Sequence, residues 1–437
     1  QGGSAPPPWQ LLGPGSVRLS RPRSEAAPRE YALRGGAREV SAAGPREAAA
    51  WLASALVEPW VQQAVRGAEQ ACIWLHGPRG AGKSPLAWGD IASDGSDCGL
   101  VGAAARALFA ALDDLQATPE PGTSDAGALV TVTMVKVGVQ TELCGDCLAS
   151  QDFDSRLRIR ERPLGRGFAL EGLAEAEVRS EEELLSALRR GRQHLAEAGS
   201  YTSGGRRAQD ARAHGVCTMR VRRCSPDGLV HTAAVHLLDL VGAESSGAER
   251  GKAGRRGKGH PSDDRTLKAV LRVVDALAES PEYAFRDGSS APRHVPYRDS
   301  KVTRLLSECF GGTGRALLVA CAGGAEHDAA LAALELAARH EQGHSRPPAP
   351  DVFDREARLQ QLGAEAEALA GPLGLAERLA GLEPGDLELE MDSPDELVRL
   401  HEVLEEKRHV AAFDRWEDIR EQSRAAAAAR GGLGAGA

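Results

Sequence analysis

A glycine-rich segment, Gly77–Ser84, constrains the fold of this chain more than any other part of its sequence. It reads Gly-Pro-Arg-Gly-Ala-Gly-Lys-Ser and follows the apolar run Ala71–Leu75, so we expect a buried strand to lead directly into it. The spacing G-x-x-x-x-G-K-S is typical of a loop whose backbone N–H groups surround phosphates. The sequence therefore predicts a phosphate-binding loop between a strand and a helix.

Every position of this loop is a candidate nucleotide contact. Lys83 is expected to reach the β- and γ-phosphates, and the hydroxyl of Ser84 is expected to bind Mg²⁺. The alternative is a chance match in a glycine-rich surface turn, which the preceding apolar strand disfavours. Pro85 is compatible with the prediction because proline is tolerated in the first turn of a helix. The candidate contacts are Gly77, Pro78, Arg79, Gly80, Ala81, Gly82, Lys83 and Ser84.

A second apolar segment ends in an acidic residue. In Val235–Glu244 the apolar run leads to Asp239 and then to Gly242. A carboxylate at the end of a buried strand lies near the metal ion of a phosphate-binding loop, which is the Walker B role. Gly242 could let the following loop move and donate its N–H to a γ-phosphate. Apolar strands often end in Asp, so the prediction that Asp239 supports a metal depends on the glycine loop.

Strand-like and helix-like segments alternate along residues 17–345. This alternation predicts an α/β P-loop body with a central, mostly parallel sheet flanked by helices. Strands are expected at Val17–Leu19, Ala126–Val139, Arg156–Arg160, Gly215–Val221, Thr232–Leu240 and Arg315–Cys321. Helices are expected at Arg46–Arg66, Glu181–Leu195, Leu267–Leu277, Ser300–Phe310 and Ala329–His340.

The two ends of the chain differ from the body in composition. Residues 1–16 are rich in glycine, proline and serine, so we expect a flexible leader, and the lack of an initiator methionine suggests a processed or trimmed end. After residue 350, acidic residues outnumber basic ones by about ten. We expect an acidic, proline-broken helical tail over residues 346–424 and a low-complexity end over 425–437. The tail could dock on the body or bind a partner that the sequence does not identify.

Composition and charge exclude several classes of protein. Of the 437 residues, 42% are hydrophobic and 26% charged, which is typical of a globular protein with a packed core. No apolar run approaches the roughly 18 residues of a membrane span. The formal net charge of −9 lies mainly in the tail, so it does not exclude an acidic partner for the near-neutral body. We expect no nucleic-acid partner. The cysteines are scattered, which indicates reduced intracellular thiols, and the single pair Cys144-x-x-Cys147 lacks the further ligands of a structural zinc site.

The stretch His294–Leu306 distinguishes between families of P-loop proteins. It reads His-Val-Pro-Tyr-Arg-Asp-Ser-Lys-Val-Thr-Arg-Leu-Leu and closely resembles a signature of kinesin motor domains. The segment Asp239–Glu244 then resembles the kinesin switch II segment, and Arg21-Pro22 resembles the arginine-proline pair that lines the adenine. The resemblance covers residues 17–342 and implies the kinesin motor fold.

This resemblance implies a site for ATP or ADP with Mg²⁺. It places Arg21 and Pro22 at the adenine, in addition to Asp239 near the metal. The catalytic residues that it implies are Arg212, Gly242 and Glu244. In the family, the arginine and the glutamate pair with each other and close the two switches around the γ-phosphate.

The resemblance also implies a microtubule-binding surface and a location in the cytoplasm, on the cytoskeleton. Kinesins use a basic surface against the acidic face of tubulin, so such binding would be sensitive to salt. The candidate contacts are Lys252, Arg255, Arg256, Lys258, His294, Arg298, Lys301 and Arg304. The alternative for the first four is a solvated basic insert.

Switch I departs from the family pattern. Kinesins carry a serine pair followed by Arg-Ser-His, whereas this chain has Asp210-Ala-Arg-Ala-His214. The hydroxyls that would meet Mg²⁺ and position the attacking water are absent, which predicts slow or impaired ATP hydrolysis. We therefore expect an ATP-binding, microtubule-binding motor protein with doubtful turnover. The alternative is a non-motile, kinesin-like structural or scaffold protein on microtubules.

Overall fold

The computed structural model describes the chain in segments separated by gaps. The segments are residues 9–13, 16–19, 29–32, 44–91, 98–117, 127–139, 141–149, 157–161, 168–197, 213–225, 228–242, 264–279, 294–321, 327–343, 350–387 and 393–411. The low-complexity end, 425–437, lies outside them, as do most of the leader and the basic loop 250–258.

Strands and helices interleave over the body of the chain. The strands are β1 (Trp9–Gly13), β2 (Ser16–Leu19), β3 (Arg29–Ala32), β4 (Gln70–His76), β5 (Gly127–Gly138), β6 (Cys144–Asp146), β7 (Arg158–Glu161), β8 (Phe168–Glu171), β9 (Ala176–Val178), β10 (Ala213–Cys224), β11 (Leu229–Asp239), β12 (Arg315–Ala320) and β13 (Asp351–Asp354). The helices are α1 (Gly44–Leu52), α2 (Glu58–Gly67), α3 (Lys83–Trp88), α4 (Gly99–Ala117), α5 (Glu181–Glu197), α6 (Arg265–Glu279), α7 (Lys301–Leu305), α8 (His327–Gln342), α9 (Arg355–Ala370) and α10 (Asp395–Ala411). A π-helical turn, Ala53–Val57, joins α1 to α2.

The central sheet is mixed rather than mostly parallel, which corrects the expectation from the sequence. Its strand order is β12-β4-β11-β10-β5-β6, with β13 beside β11 and β9 beside β5. Among the described strands, only the two ladders of β4 are parallel, one to β11 and one to β12. The strands β10 and β11 form an antiparallel hairpin, which a tight turn can close without a crossover helix. The alternation of strand-like and helix-like segments in the sequence did not reveal this hairpin.

Side chains of the sheet alternate between two apolar layers. Ala71, Ile73 and Leu75 of β4 point to one layer, which is covered by α1, α2, α4 and α5. Cys72 and Trp74 point to the opposite layer, which is covered by α6, α7 and α8. The sheet is therefore buried on both faces. The glycine loop follows β4, which lies between the two apolar layers.

Three expected elements differ from those in the structure. Residues 9–13, assigned to a flexible leader, form β1, which pairs with β2. The helix expected at Ser300–Phe310 ends at Leu305, because the chain then turns so that Cys309 and Phe310 pack into the second apolar layer. The strand β12, expected to be buried, is mostly half-buried because it lies at the edge of the sheet.

Residues 350–387 and 393–411 form a strand and a helical hairpin that contact the body. The strand β13 pairs antiparallel with the first residues of β11. Asp354 then caps α9, since its side chain accepts a hydrogen bond from the backbone N–H of Ala357 at 2.7 Å. The helices α9 and α10 enclose their own apolar cluster, which includes Leu362 and Leu400. No helix in the described segments is long and apolar enough to cross a membrane.

A partly buried ionic cluster joins the hairpin to the sheet. Glu175 accepts hydrogen bonds from Arg220 and Arg222 of β10. His409 of α10 lies beside it, with 3.9 Å between Nδ1 and a Glu175 oxygen and 3.3 Å between Nε2 and a Glu177 oxygen. Burial acts to raise the pKa of Glu175, but the two guanidinium groups and His409 outweigh it and hold that pKa well below its usual range. The carboxylate is therefore charged and anchors α10 to the sheet.

Candidate functional site

The glycine loop follows β4 and is held against the end of β12. The backbone N–H of Cys321 donates to the carbonyl of His76 at 2.7 Å. At the next residue, Gly77, a Cβ atom would lie 2.0 Å from the Cys321 carbonyl oxygen, so no larger residue fits there. Gly80 and Gly82 adopt φ values of 79° and 81°, the left-handed region that favours glycine. The glycines of the motif thus let the loop turn tightly between β4 and α3.

Lys83 is the first residue of α3 and folds back over the loop. Its Nζ donates hydrogen bonds to the carbonyls of Gly77 at 2.9 Å and Pro78 at 2.8 Å. The side chain is 6% exposed, and this burial lowers the pKa of Lys83, although the nearby Asp239 opposes the shift. A buried ammonium group at the mouth of a loop of backbone N–H groups can neutralise phosphate charge.

Asp239 ends β11 beside the loop. Its Oδ2 accepts a hydrogen bond from the indole Nε1 of Trp88 at 2.9 Å. Its Oδ1 is buried and has no hydrogen-bond partner among the described residues. A buried carboxylate oxygen without a partner is energetically costly, so it marks a place for a water molecule or a cation.

Gly242 lies three residues beyond Asp239 and packs against the loop. A Cβ at this position would lie 2.9 Å from Nζ of Lys83. The chain after β11 therefore packs against the glycine loop, and donation of the Gly242 N–H to a γ-phosphate stays a prediction. The absence of a side chain allows the contact.

His214 connects the start of β10 to this segment, and the sequence analysis did not include it among the site residues. It is fully buried, and its Nδ1 accepts a hydrogen bond from the backbone N–H of Val241 at 3.1 Å. Its Nε2 lies 3.3 Å from Oδ1 of Asp264, which caps α6 by accepting from Leu267 N–H. Because Nδ1 accepts, the neutral imidazole carries its proton on Nε2, facing Asp264. The histidine within the altered switch I sequence was the signal that could have identified this role.

His76 is a further buried polar residue beneath the loop. It is 5% exposed, and burial together with the charge of Lys83 lowers the pKa of His76 to about 4. The imidazole is therefore neutral at physiological pH and adds no positive charge to the site.

The structure brings together part of the predicted nucleotide site. The loop Gly77–Ser84, Asp239 and Gly242 converge at the ends of β4 and β11, and Ser84 is half-buried in the first turn of α3. Arg21, Pro22, Arg212 and Glu244 lie outside the described residues, so their roles remain predictions.

The residues also fit the cofactors that the resemblance implies. The loop offers backbone N–H groups and the Lys83 ammonium to phosphates. The hydroxyl of Ser84 and the unpartnered Oδ1 of Asp239 are oxygen donors, which Mg²⁺ prefers. The donor set therefore suits a magnesium nucleotide.

The described part of the candidate microtubule surface surrounds α7. His294 and Arg298 are exposed, while Lys301 and Arg304 are half-buried. The guanidinium of Arg304 donates to the Arg298 carbonyl at 3.1 Å, which orders this turn. The candidates Lys252, Arg255, Arg256 and Lys258 lie outside the described residues.

A neighbouring basic stripe was missed by the sequence analysis. Arg265, Lys268 and Arg272 are exposed along α6, which packs against α7. Their spacing of three and four residues places them on one helix face. The same spacing is present in the sequence, but only the apolar positions of this helix entered its prediction.

Cys144 begins β6 and Cys147 follows its last residue, and both side chains are buried. Both thiols are free, and burial raises the pKa of Cys144 to about 11 and that of Cys147 to about 12. The described residues contain no group of three or more His, Cys, Asp or Glu side chains arranged to hold a metal ion.

Comparison with known proteins decides the family. A model of the kinesin motor domain family matches residues 41–342, which is more than half of the chain. The chain belongs to the kinesin motor domain family. A solved structure described as that of a fast kinesin superposes on this chain with a TM-score of 0.62 at 22% identity, covering 80% of this chain and 88% of that one. The predicted fold class, a kinesin-type P-loop α/β fold with flanking helices, is therefore confirmed.

Curated relatives agree with this family. The chain is 30% identical to the human kinesin-like protein KIFC2 over 299 residues, which is 67% of this chain and 32% of that protein. It is 28% identical to the kinesin-like protein KIN-5C of Arabidopsis thaliana over 332 residues, 72% of this chain and 30% of that protein. The chain thus spans about a third of the length of these relatives.

Proposed function

We propose that this chain is a kinesin motor domain that binds ATP or ADP with Mg²⁺, binds microtubules and hydrolyses ATP slowly. The observation that carries the proposal is the convergence of the glycine loop, Asp239 and Gly242 at one edge of the sheet. The loop and Lys83 bind the phosphates in this proposal, and Ser84 and Asp239 hold the metal. Bound Mg²⁺ would supply charge neutralisation for the phosphates.

The residues around the γ-phosphate have separate roles in this proposal. Gly242 offers its backbone N–H to the terminal phosphate, and its contact with the loop makes that segment sensitive to the phosphate. Arg212 and Glu244 close the two switches. His214 transmits this closure, since it contacts both Val241 and Asp264 at the start of α6.

The basic surface around α6 and α7 supports a microtubule partner and a cytoskeletal location. Arg265, Lys268, Arg272, His294 and Arg298 are all exposed there. Clustered cations on one face attract a surface rich in carboxylates, and the attraction weakens as salt screens it. We propose that these residues bind tubulin together with Lys301, Arg304 and the loop 250–258.

Slow turnover follows from the altered switch I. Ala213 begins β10 and has no hydroxyl to orient a water molecule or a metal ligand. Loss of positioned groups at a transferring phosphoryl lowers the rate by about 10²-fold or more. The same observation favours the second candidate, a non-motile kinesin-like scaffold that holds nucleotide and grips microtubules statically.

An ATPase and cosedimentation experiment tests the proposal. The full chain and a Lys83→Ala control are assayed for ATP hydrolysis with and without microtubules, and microtubule binding is measured with ADP, with an ATP analogue and without nucleotide. We expect slow but microtubule-stimulated turnover that the control lacks. Turnover equal to the control with binding independent of nucleotide would favour the scaffold. Absence of both nucleotide and microtubule binding would refute both candidates.

A further inference from the structure

Trp88 donates a hydrogen bond to one carboxylate oxygen of Asp239, a candidate metal ligand. The indole Nε1 of Trp88 donates to Oδ2 of Asp239 at 2.9 Å, and both side chains are buried, at 1% and 7% exposure. A hydrogen bond to a charged acceptor in a buried site is stronger than one between neutral groups. The donor is neutral, so it orients the carboxylate without cancelling the negative charge that a cation needs.

Trp88 itself has little freedom to move. Its ring lies in the apolar layer formed by α1, α2, α4 and α5. The guanidinium carbon of Arg192, a residue of α5, lies 5.6 Å from the centroid of the Trp88 ring. This distance is within the range of a cation–π contact. A ring fixed in this way can keep the Asp239 carboxylate in a single orientation.

Helical spacing connects Trp88 to the loop. Ser84 and Trp88 are four residues apart on α3, so their side chains project from the same face of that helix. Trp88 contacts Asp239, and Ser84 lies one turn closer to the glycine loop. The helix α3 thus carries Ser84, a candidate metal ligand, and Trp88, which orients the second candidate ligand, Asp239. Oδ1 of Asp239 has no hydrogen-bond partner among the described residues and is the oxygen left for the metal or its water.

We propose that Trp88 is a positioning residue of the metal site: its indole N–H occupies Oδ2 of Asp239 and reserves Oδ1 for Mg²⁺ or a water molecule bound to it. This inference rests on the proposed nucleotide function. Without the indole donor, the carboxylate rotates and divides its two oxygens among other partners. Loss of such an orienting hydrogen bond lowers metal affinity by about 10- to 100-fold.

The test measures metal dependence separately from folding. Trp88→Phe removes the donor and keeps an aromatic ring. Trp74→Phe is the matched control, because Trp74 is equally buried, on the opposite face of the sheet, and its indole N–H also makes a hydrogen bond, to Nε2 of His340 at 3.4 Å. A fluorescent ADP analogue is titrated onto the full chain and both variants, first with a chelator and then over a range of Mg²⁺ and Mn²⁺ concentrations. Thermal unfolding is recorded in parallel.

The expected result is selective. Trp88→Phe should need about 10- to 100-fold more metal for half-maximal binding, while its affinity for the metal-free analogue matches the parent and Trp74→Phe. If Trp88→Phe shows the metal dependence of the parent and differs only in its unfolding temperature, the indole is structural and the inference is overturned. If the parent binds no analogue under any condition, the proposed function fails as well, and the two failures are thereby distinguished.

Discussion

The backbone of Gly242 lies directly against that of Arg79, so that a Cβ at position 242 would be 2.7 Å from both the nitrogen and the Cα of Arg79. Real Cβ atoms do not approach backbone atoms so closely. The segment after β11 and the glycine loop therefore form one packed unit, and any group added between them must move one of the two.

The first prediction is that Gly242→Ala weakens nucleotide binding. The added methyl group would displace the loop backbone or the ammonium of Lys83, and overpacking of this kind costs about 1–3 kcal/mol. If that strain falls on the loop, affinity for ADP should fall by roughly 10- to 100-fold. Titration with a fluorescent ADP analogue measures it.

Gly363→Ala is the control for this substitution. Gly363 lies within α9, and a Cβ there would meet nothing within 4 Å. Alanine at that site should bind nucleotide as the parent does and be slightly more stable, because glycine is a poor helix former. Equal nucleotide affinities for the two variants would contradict the idea that Gly242 forms part of the site.

The second prediction concerns turnover. A triple substitution, Asp210→Ser with Ala211→Ser and Ala213→Ser, restores the hydroxyls that the kinesin resemblance implies and removes the carboxylate that the same resemblance would place near the phosphates. If missing hydroxyls limit the chain, microtubule-stimulated ATP hydrolysis should rise by about 10²-fold. The same triple substitution combined with Lys83→Ala should stay inactive. A steady-state phosphate-release assay measures the rates of both variants. An unchanged rate in the triple variant would mean that the missing hydroxyls do not limit ATP hydrolysis.

The third prediction is that Glu175→Gln loosens the hairpin of α9 and α10. The amide keeps the shape of the side chain but leaves Arg220 and Arg222 without their counter-charge, which should lower the free energy of unfolding by roughly 3 kcal/mol. Because the pKa of Glu175 in the folded chain lies well below its unfolded value, its contribution is complete above about pH 4.5. It is lost progressively as the pH falls from about 4.5 towards the lower, folded value.

Urea denaturation and limited proteolysis at neutral pH test this anchor. Cleavage within α10 should become faster in Glu175→Gln. The exposed Glu396 on α10 offers a matched control, and Glu396→Gln should behave like the parent in both assays. Unaltered stability and cleavage in the first variant would show that the apolar contacts alone hold the hairpin.

Local spacing predicted the residues that converge in the candidate nucleotide site. A short stretch of sequence determines each of three features: the glycine loop, the strand before it and the acidic end of β11. This is so because backbone turns and strand ends depend on neighbouring residues. The resemblance of His294–Leu306 to kinesins then supplied the family. The contact between Trp88 and Asp239 was not predictable in this way, since those residues are 151 positions apart and meet only through the packing of α3 on β11.

The errors have two origins. Alternating strands and helices indicated a parallel sheet, but β10 and β11 form a hairpin, and the sequence Ser-Pro-Asp-Gly at 225–228 between them, which is typical of a turn, was the signal that could have identified it. The pairing of β13 with β11 joins residues more than a hundred positions apart, and no local pattern reports it. The ionic cluster at Glu175 likewise assembles from β10, α10 and the segment before β9, so its charges looked like ordinary surface charges in the sequence.

The last prediction is that His340 makes the stability of the body depend on pH. Nε2 of His340 accepts a hydrogen bond from the indole of Trp74, and burial lowers the pKa of His340 to about 4 from its ordinary value of 6.5. Between these values the unfolded chain binds a proton that the folded chain does not, so stability falls as the pH drops below 6.5. The loss should reach about 2 kcal/mol at pH 5.

His340→Gln tests this dependence, because the amide oxygen can still accept from Trp74 but does not titrate. Urea denaturation at pH 7 and pH 5 should show a pH-dependent loss smaller by about 2 kcal/mol in this variant than in the parent. Some dependence should remain, since burial also lowers the pKa of His76 to about 4. His294→Gln, at an exposed site, controls for the loss of an imidazole in general. An identical loss in the parent and His340→Gln would mean that His340 is protonated without unfolding, and that the indole contact does not hold it neutral.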